Sequence, residues 1–412
     1  VKKNFYLRIF AVNKFHDHRI FTVNNLYIYR IFAVNNLYIY RIALKVMAKY
    51  IYQNADWPAF TWQEKRLSHV FGEVRLRQGK IIGLMNSLGF SSKEEAILVN
   101  LTSDVLKSSE IEGEKLNLQQ VRSSIAKRLG IKIEGAETTN RRVEGVVEMM
   151  LDATQRFYLP LTEKRLLGWH AALFPTGFSG PYKIATGRYR LGDMEVVSGA
   201  MGKEKVRYVA PKAELVKSEM NKFLAWFNND QTTDLVIKAA IAHFWFIIIH
   251  PFDDGNGRIA RAITDLLLAR SEDSGNRFYS MSQQILVERN QYYDVLQKVQ
   301  HSKGDITPWL EWFLNCLKNA MVSTENTTQK ILQKAQFWQL HENTSINERQ
   351  RLILNKLFDG FEGKLQTSKW AKITKTSTDT ALRDIKDLIS KGILQQTDEG
   401  GRNANYELTN FN

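Results

Sequence analysis

The chain has 412 residues, 44% of them hydrophobic and 24% charged, which is enough apolar material for two or three compact domains and excludes a disordered chain. One cysteine, Cys316, excludes an intramolecular disulfide framework, and no Cys/His cluster has zinc spacing, so a reducing cytoplasm is the expected compartment. The formal net charge of +14 would point to a polyanionic partner, but its distribution weakens that inference.

Residues 1–46 hold eight Lys/Arg against one Asp, so this segment supplies +7 of the +14 and leaves +7 for residues 47–412. RIFTVNNLYIY at 19–29 is followed at once by RIFAVNNLYIY at 30–40, and RIFAVNKF at 8–15 begins an imperfect earlier copy. The segment reads either as a basic aromatic strand array or membrane-surface anchor, or as translated upstream DNA ahead of a start at Met47. Near-identical adjacent copies favour the second reading, and the h-region and cleavage pattern of a signal peptide are missing.

From Met47 onward an aromatic-rich stretch, YIYQNADWPAFTWQ, precedes helices expected over Glu64–Gly89 and Lys93–Lys107. Residues 108–113 read SSEIEG, which alone is an ordinary surface Glu on an acidic helix. Between 187 and 211, two β-prone stretches around Met194–Ser198 and Val206–Val209 flank Gly199, Gly202 and charged residues, the pattern of a hairpin.

Val236–Ile249 (VIKAAIAHFWFIII) is apolar and free of Gly and Pro, so it should be a buried helix that stops before Pro251 and leaves His250 at the helix-to-loop junction. The apolar run 239–249 is too short to span a bilayer. Residues 250–261 read HPFDDGNGRIAR, and Arg258–Arg270 resumes a helical pattern. The Gly255-Asn256-Gly257 amides then point out of a helix N-terminus, an anion site, with Arg258 and Arg261 on one helical face toward the same anion. Asp254 beside it would repel phosphate unless a cation lay between, and one carboxylate plus phosphate oxygens is how Mg²⁺ is usually held. Taken singly these residues could cap a core helix, make a turn and form solvated ion pairs; taken jointly they specify a nucleotide-phosphate site.

At the carboxyl end, Glu348–Phe358, Thr367–Lys375 and Thr378–Gly392 read as helices, and Ile393–Leu408 as two short strands turned at Glu399-Gly400-Gly401, the order of a winged helix. DNA binding would run through the helix bearing Arg383 and Lys386. Residues 347–412 hold eleven Lys/Arg and nine Asp/Glu, a balance of only +2, so protein docking or dimer stabilisation is favoured over DNA.

The string HPFDDGNGRIAR resembles the motif of the Fic family, HPFx[D/E]GNGRxxR, at every fixed position. The resemblance implies transfer of AMP from ATP to a hydroxyl side chain of a protein. It makes His250 the general base, Asp254 the Mg²⁺ ligand, and Gly255, Asn256 and Gly257 the stabilisers of the α-phosphate. Arg258 falls on the β-phosphate and Arg261 on the γ-phosphate. SSEIEG is similar to the family's inhibitory motif (S/T)xxxE(G/N), which implies that Ser108, Glu112 and Gly113 form a regulatory element with Glu112 on Arg261. The hairpin, with Val197, Ser198 and Gly199, corresponds to the flap that captures a target segment by strand addition. Tyr292, Tyr293 and Gln300 align with adenine-pocket positions.

The expected architecture is mainly α: a Fic-type helical core with a β-hairpin flap at 136–325, an N-terminal helical regulatory domain at 47–135 and a winged helix at 335–412. The expected partners are ATP, Mg²⁺ and a hydroxyl-bearing target protein, the chain itself included, with a homodimer left open and no membrane. AMP removal or transfer of another phosphate-linked group, and a nucleotide-sensing DNA-binding regulator, stand as the alternative functions.

Overall fold

The computed structural model describes residues 50–86, 90–133, 136–198, 205–358, 361, 363–397 and 404–409. The repeats of residues 1–46, Gly199 and Gly202, and the turn expected at 399–401 lie outside the described residues.

Helices dominate. Helix α1, Glu64–Asn86, places Leu67, Val70, Val74, Ile81 and Met85 on one buried stripe at helical spacing. Helix α2, Phe90–Ile111, starts before and ends after the expected Lys93–Lys107, so Ser108 lies in its last turn. Gly113 follows at φ 81°, a left-handed conformation that glycine adopts without a Cβ penalty, and turns the chain away. Helix α3, Leu118–Leu129, is capped by Asn117, whose Oδ1 accepts from the Gln120 amide at 3.0 Å. Helices α4, Arg141–Gln155, and α5, Glu163–Leu173, complete the first half.

Two short hairpins come next. Strand β1, Phe178–Ser179, pairs antiparallel with β2, Tyr182–Lys183. Strand β3, Glu195–Ser198, pairs antiparallel with β4, Lys205–Val209, with a register irregularity between Val196 and Val197. Helix α6, Ala213–Asn229, leads into the centre of the fold.

The centre is helix α7, Leu235–Ile249, packed lengthwise against α8, Asn256–Glu272, both buried over nearly their whole length. Asp234 starts α7 by accepting from the Val236 amide at 2.9 Å, and the chain leaves it at His250, whose φ of 51° ends helical geometry one residue before Pro251. The expected start of α8 at Arg258 moves to Asn256, because Gly255 takes φ 82° and caps it. A Cβ at Gly255 would meet Phe174 Cε2 at 2.9 Å, so the turn needs glycine for space as well as for dihedral. Helices α9, Met281–Val287, α10, Arg289–Val299, and α11, Thr307–Leu340, close the other side, α11 lying along α1.

One apolar core runs from Ile51 to Met321, and a separate one from Phe337 to Tyr406. The second core is enclosed by α12, Glu348–Phe358, α13, Thr367–Thr374, α14, Thr378–Ser390, and the antiparallel pair β5, Leu394–Gln396, with β6, Tyr406–Leu408. Among the described residues no helix is long and apolar enough to cross a membrane.

Candidate active site

The loop between α7 and α8 is braced from several sides. Asn256, buried, donates from Nδ2 to the Phe252 carbonyl at 2.8 Å and accepts at Oδ1 from the Phe252 amide at 3.0 Å. Both ends of its side-chain amide therefore bond to the loop. The Asn256 side chain thus braces the cradle, giving one of its two Nδ2 hydrogens to the Phe252 carbonyl. Asp253 accepts from the Ala185 amide at 2.8 Å. The buried His170 ring stacks on Phe252 at 4.2 Å with 6° between planes, and its Nδ1 accepts from the Gly187 amide at 3.0 Å.

His250 is half-buried and its Nδ1 lies 3.2 Å from the Ile247 carbonyl. A carbonyl can only accept, so Nδ1 carries the proton and Nε2 is left with the lone pair. Burial pushes the imidazole down to about 4, against the opposing pull of the Ile247 bond. Its neutral, proton-accepting form is thus the resting form at neutral pH.

Sequence reasoning missed Arg190, which holds this histidine in place. The buried Arg190 donates from Nε to the His250 carbonyl at 2.8 Å, from Nη1 to Gly192 at 2.9 Å and from Nη2 to Pro211, while its amide donates to Pro251 at 2.9 Å. One guanidinium joins the loop to both feet of the β3/β4 hairpin. Nothing local in GRYRLGD signals this, because the His250 and Pro211 partners lie 60 and 21 positions further along the chain.

The anion-facing end of α8 is already occupied. Arg261 donates from Nε to Ser108 Oγ at 2.9 Å, and from Nη2 to the Ser108 carbonyl at 2.7 Å and to Glu112 Oε1 at 2.8 Å. A Cβ built on Gly257 would fall 2.0 Å from that same Glu112 oxygen, so the carboxylate rests directly over the glycine at the helix N-terminus. Ser108, Glu112 and Arg261 therefore meet as the motif implies, while Gly113 supplies the turn.

A second acid was not anticipated. Glu114 accepts from Arg258 Nη1 at 2.6 Å and pairs through its other oxygen with Arg142. Both arginines of the cradle are thus held by carboxylates of one short segment, two residues apart. Asp254 stands at the mouth, its side chain 41% exposed, 3.9 Å from Arg258 and accepting from Ser179 Oγ and, at 2.5 Å, from the Gly255 amide. As a metal ligand it offers one hard carboxylate beside a phosphate cradle, a donor set that suits Mg²⁺ only in company with nucleotide phosphates. Among the described residues no group of three or more His, Cys, Asp or Glu could hold a metal on its own.

The aligned adenine-pocket residues separate. Tyr292 is buried and its hydroxyl meets His243 Nε2 at 3.0 Å, while His243 Nδ1 meets Thr264. Gln300 is buried too and donates to the Arg207 carbonyl at 2.8 Å, bracing β4. Both side chains are engaged inside the fold, Tyr292 with His243 and Gln300 with the Arg207 carbonyl. Tyr293 alone stays exposed, edge-on to Tyr292 at 5.0 Å and beside Arg289.

Further from the loop, Arg277 is bonded to Asp265 on α8 at 2.5 Å and to Asp104 on α2 at 3.0 Å, all three fully buried. Burial pushes both carboxyls up against the pull of Arg277. The triad ties the helix carrying Ser108 to the helix carrying Arg261.

The buried histidines give a pH prediction. Burial pushes His170 down to about 4 and His243 to about 3, against about 6.5 in an unfolded chain. The unfolded state then binds more protons, so their contribution to stability is full above pH 6.5 and falls as pH drops toward 4, by up to about 1.4 kcal/mol per pH unit for each ring. NMR of the two imidazoles should show no titration between pH 8 and 5; a midpoint near 6.5 for either ring would contradict its buried, neutral placement.

A loop of His, carboxylate and glycines thus leads into two arginines at a buried helix N-terminus, an arrangement suited to an anion. Comparison with known proteins narrows this. Residues 160–268 match the Fic/DOC family, and residues 50–131 match a domain of unknown function, DUF4172. The chain is 28% identical over 214 residues to "Protein adenylyltransferase Fic" of Drosophila grimshawi, covering 51% of this chain and 40% of that protein. It is 28% identical over 221 residues to the protein of the same name from Aedes aegypti, covering 51% and 39%. The matched part thus spans about two fifths of these relatives' length. A crystal structure of a Fic family protein from Desulfovibrio desulfuricans G20 aligns over 86% of this chain and 99% of that one, with a TM-score of 0.49 and 22% identity. The chain carries a Fic/DOC family domain.

Proposed function

We propose that the protein is a self-inhibited adenylyltransferase that transfers AMP from ATP to a hydroxyl side chain of a target protein, itself included. The observation that carries this reading is the Glu112 carboxylate, which rests on Gly257 and Arg261 where an anionic phosphate would otherwise lie, beside a histidine held in its base form. The relatives named adenylyltransferase support the same class of reaction.

In this reading His250 Nε2 takes the proton of the attacking hydroxyl as its oxygen bonds to the α-phosphorus and the bond to the bridging oxygen of pyrophosphate breaks. The backbone amides of Gly255, Asn256 and Gly257 and the side chains of Arg258 and Arg261 stabilise the charge on the phosphates. Mg²⁺, when held by Asp254 and the phosphates, would neutralise charge on the leaving pyrophosphate. Tyr293 flanks the adenine. Val197 and Val206 are exposed on the hairpin, and β3 offers an edge for a target strand. Residues 47–135 serve as the regulatory domain, 136–325 as the catalytic one and 335–412 as a winged-helix appendage.

Incubation with labelled ATP and a cell lysate, followed by identification of modified peptides, tests the reading: AMP on Ser, Thr or Tyr is expected, and unlabelled protein in every fraction, including from a Glu112→Gly variant, would refute it. Asp254→Ala should raise the Mg²⁺ concentration needed and lower the rate together; an unchanged Mg²⁺ titration would remove Asp254 from the metal site.

A further inference from the structure

The +2 balance of residues 347–412 argued against a nucleic-acid surface, but that sum counts charges without regard to the face they occupy. The structure sorts them. Helix α13, Thr367–Thr374, and helix α14, Thr378–Ser390, are joined by three residues, Lys375-Thr376-Ser377, with Lys375 in the left-handed region at φ 54°. This is a helix-turn-helix pair. On α14 the inward face is Ala381, Asp384, Ile385 and Leu388, and the outward stripe is Asp379, Arg383, Lys386 and Ser390.

Two of the pair's three acids are neutralised away from the outward stripe. Asp384 is buried against α12, accepting from Arg349 at 2.8 and 2.9 Å and from Asn347 at 2.9 Å. Asp387 accepts from Gln350 at 2.7 Å and from Lys391 at 2.5 Å. The pair's five bases, Lys369, Lys372, Lys375, Arg383 and Lys386, are all exposed, as is Asp379, while Asp387 is partly exposed and paired with Lys391. Arg383 and Lys386 form no ion pair among the described residues. Hydroxyls cluster at the start of α14, where Ser377 Oγ caps the Thr380 amide at 3.2 Å and Thr378 is exposed.

We propose that this outward face of α13 and α14 binds duplex DNA, with the amino-terminal half of α14 facing the major groove and Lys369, Lys372 and Lys375 on the phosphate backbone. The second helix of such a pair presents its first turns to base edges while the first crosses the backbone. Thr378 and Arg383 lie in that amino-terminal half, and Lys386 follows Arg383 one turn further along the same outward stripe. A repeating polyanion favours this spread of separate cations over the single anchoring pocket that an acidic peptide would need. The proposal is independent of the nucleotide reading of the His250 site.

The test is fluorescence anisotropy of the full chain with a random-sequence 30-bp duplex, with single-stranded DNA of equal length and polyglutamate as the other arms. Duplex binding with Kd of about 1–100 μM at physiological salt is expected, weakening roughly 10²–10³-fold between 50 and 200 mM salt for four or five phosphate contacts. Arg383→Ala/Lys386→Ala changes exposed side chains only, so it should leave the circular dichroism spectrum intact while cutting duplex affinity at least about tenfold. His250→Ala should bind like the parent chain. Unchanged duplex affinity in the double variant, no duplex binding at 50 mM salt, or equal binding of polyglutamate would each overturn the proposal.

Discussion

His250→Ala is expected to lower AMP transfer by roughly 10²–10⁴-fold while nucleotide binding persists, because the substitution removes a proton acceptor and none of the phosphate-facing groups. The tautomer is fixed by Ile247, desolvation of the half-buried ring keeps it neutral, and its carbonyl is clamped by Arg190. Each of these conditions concerns Nε2, so a side chain without that nitrogen cannot be rescued by the remaining frame. Single-turnover rates with labelled ATP, alongside calorimetric ATP affinity, separate the two effects. Transfer at near the parent rate would refute the base assignment, whereas loss of ATP affinity as well would mean that the ring shapes the cradle.

The part of this site legible in sequence is the part whose chemistry is local. His250, Asp254, Gly255, Gly257, Arg258 and Arg261 fall within twelve consecutive positions, and the apolar run before them together with the helical pattern after them fixes their geometry. Arg190 and Glu114 were not legible, because each is defined by a partner 60 or 144 positions away, and an Arg or Glu in isolation is an ordinary surface residue. For Tyr292 and Gln300 the alignment gave a position, but their contacts with His243 and with the Arg207 carbonyl were not legible. The bonds of the Asn256 side chain to the backbone of its own loop were not legible either, although a side-chain amide beside a turn is well placed to make them. For the helix pair at the carboxyl end the sequence supplied the elements but only a summed charge, and the sorting of that charge by face depends on which acids find buried partners.

Glu112→Gly is expected to raise transfer, self-modification included, by roughly ten- to a hundredfold, since charge-assisted hydrogen bonds are worth about 1.5–3 kcal/mol and this one must break before a phosphate can reach Arg261. The substitution also clears the space over Gly257, where the carboxylate oxygen now sits. Arg261 keeps its two bonds to Ser108, so the cation stays aimed at the helix N-terminus rather than swinging free. Glu114→Gln loosens Arg258 but leaves Glu112 in place, and should activate less. Arg261→Ala removes the shared partner itself, so the double variant Glu112→Gly/Arg261→Ala should be as inactive as Arg261→Ala alone, a non-additivity that two independent effects would not produce. Initial rates of label incorporation into the chain decide the matter. If Glu112→Gly leaves them unchanged or lowers them, the carboxylate is no inhibitor, and release of AMP from pre-modified protein then becomes the assay that distinguishes a structural Glu112 from one that takes part in AMP removal.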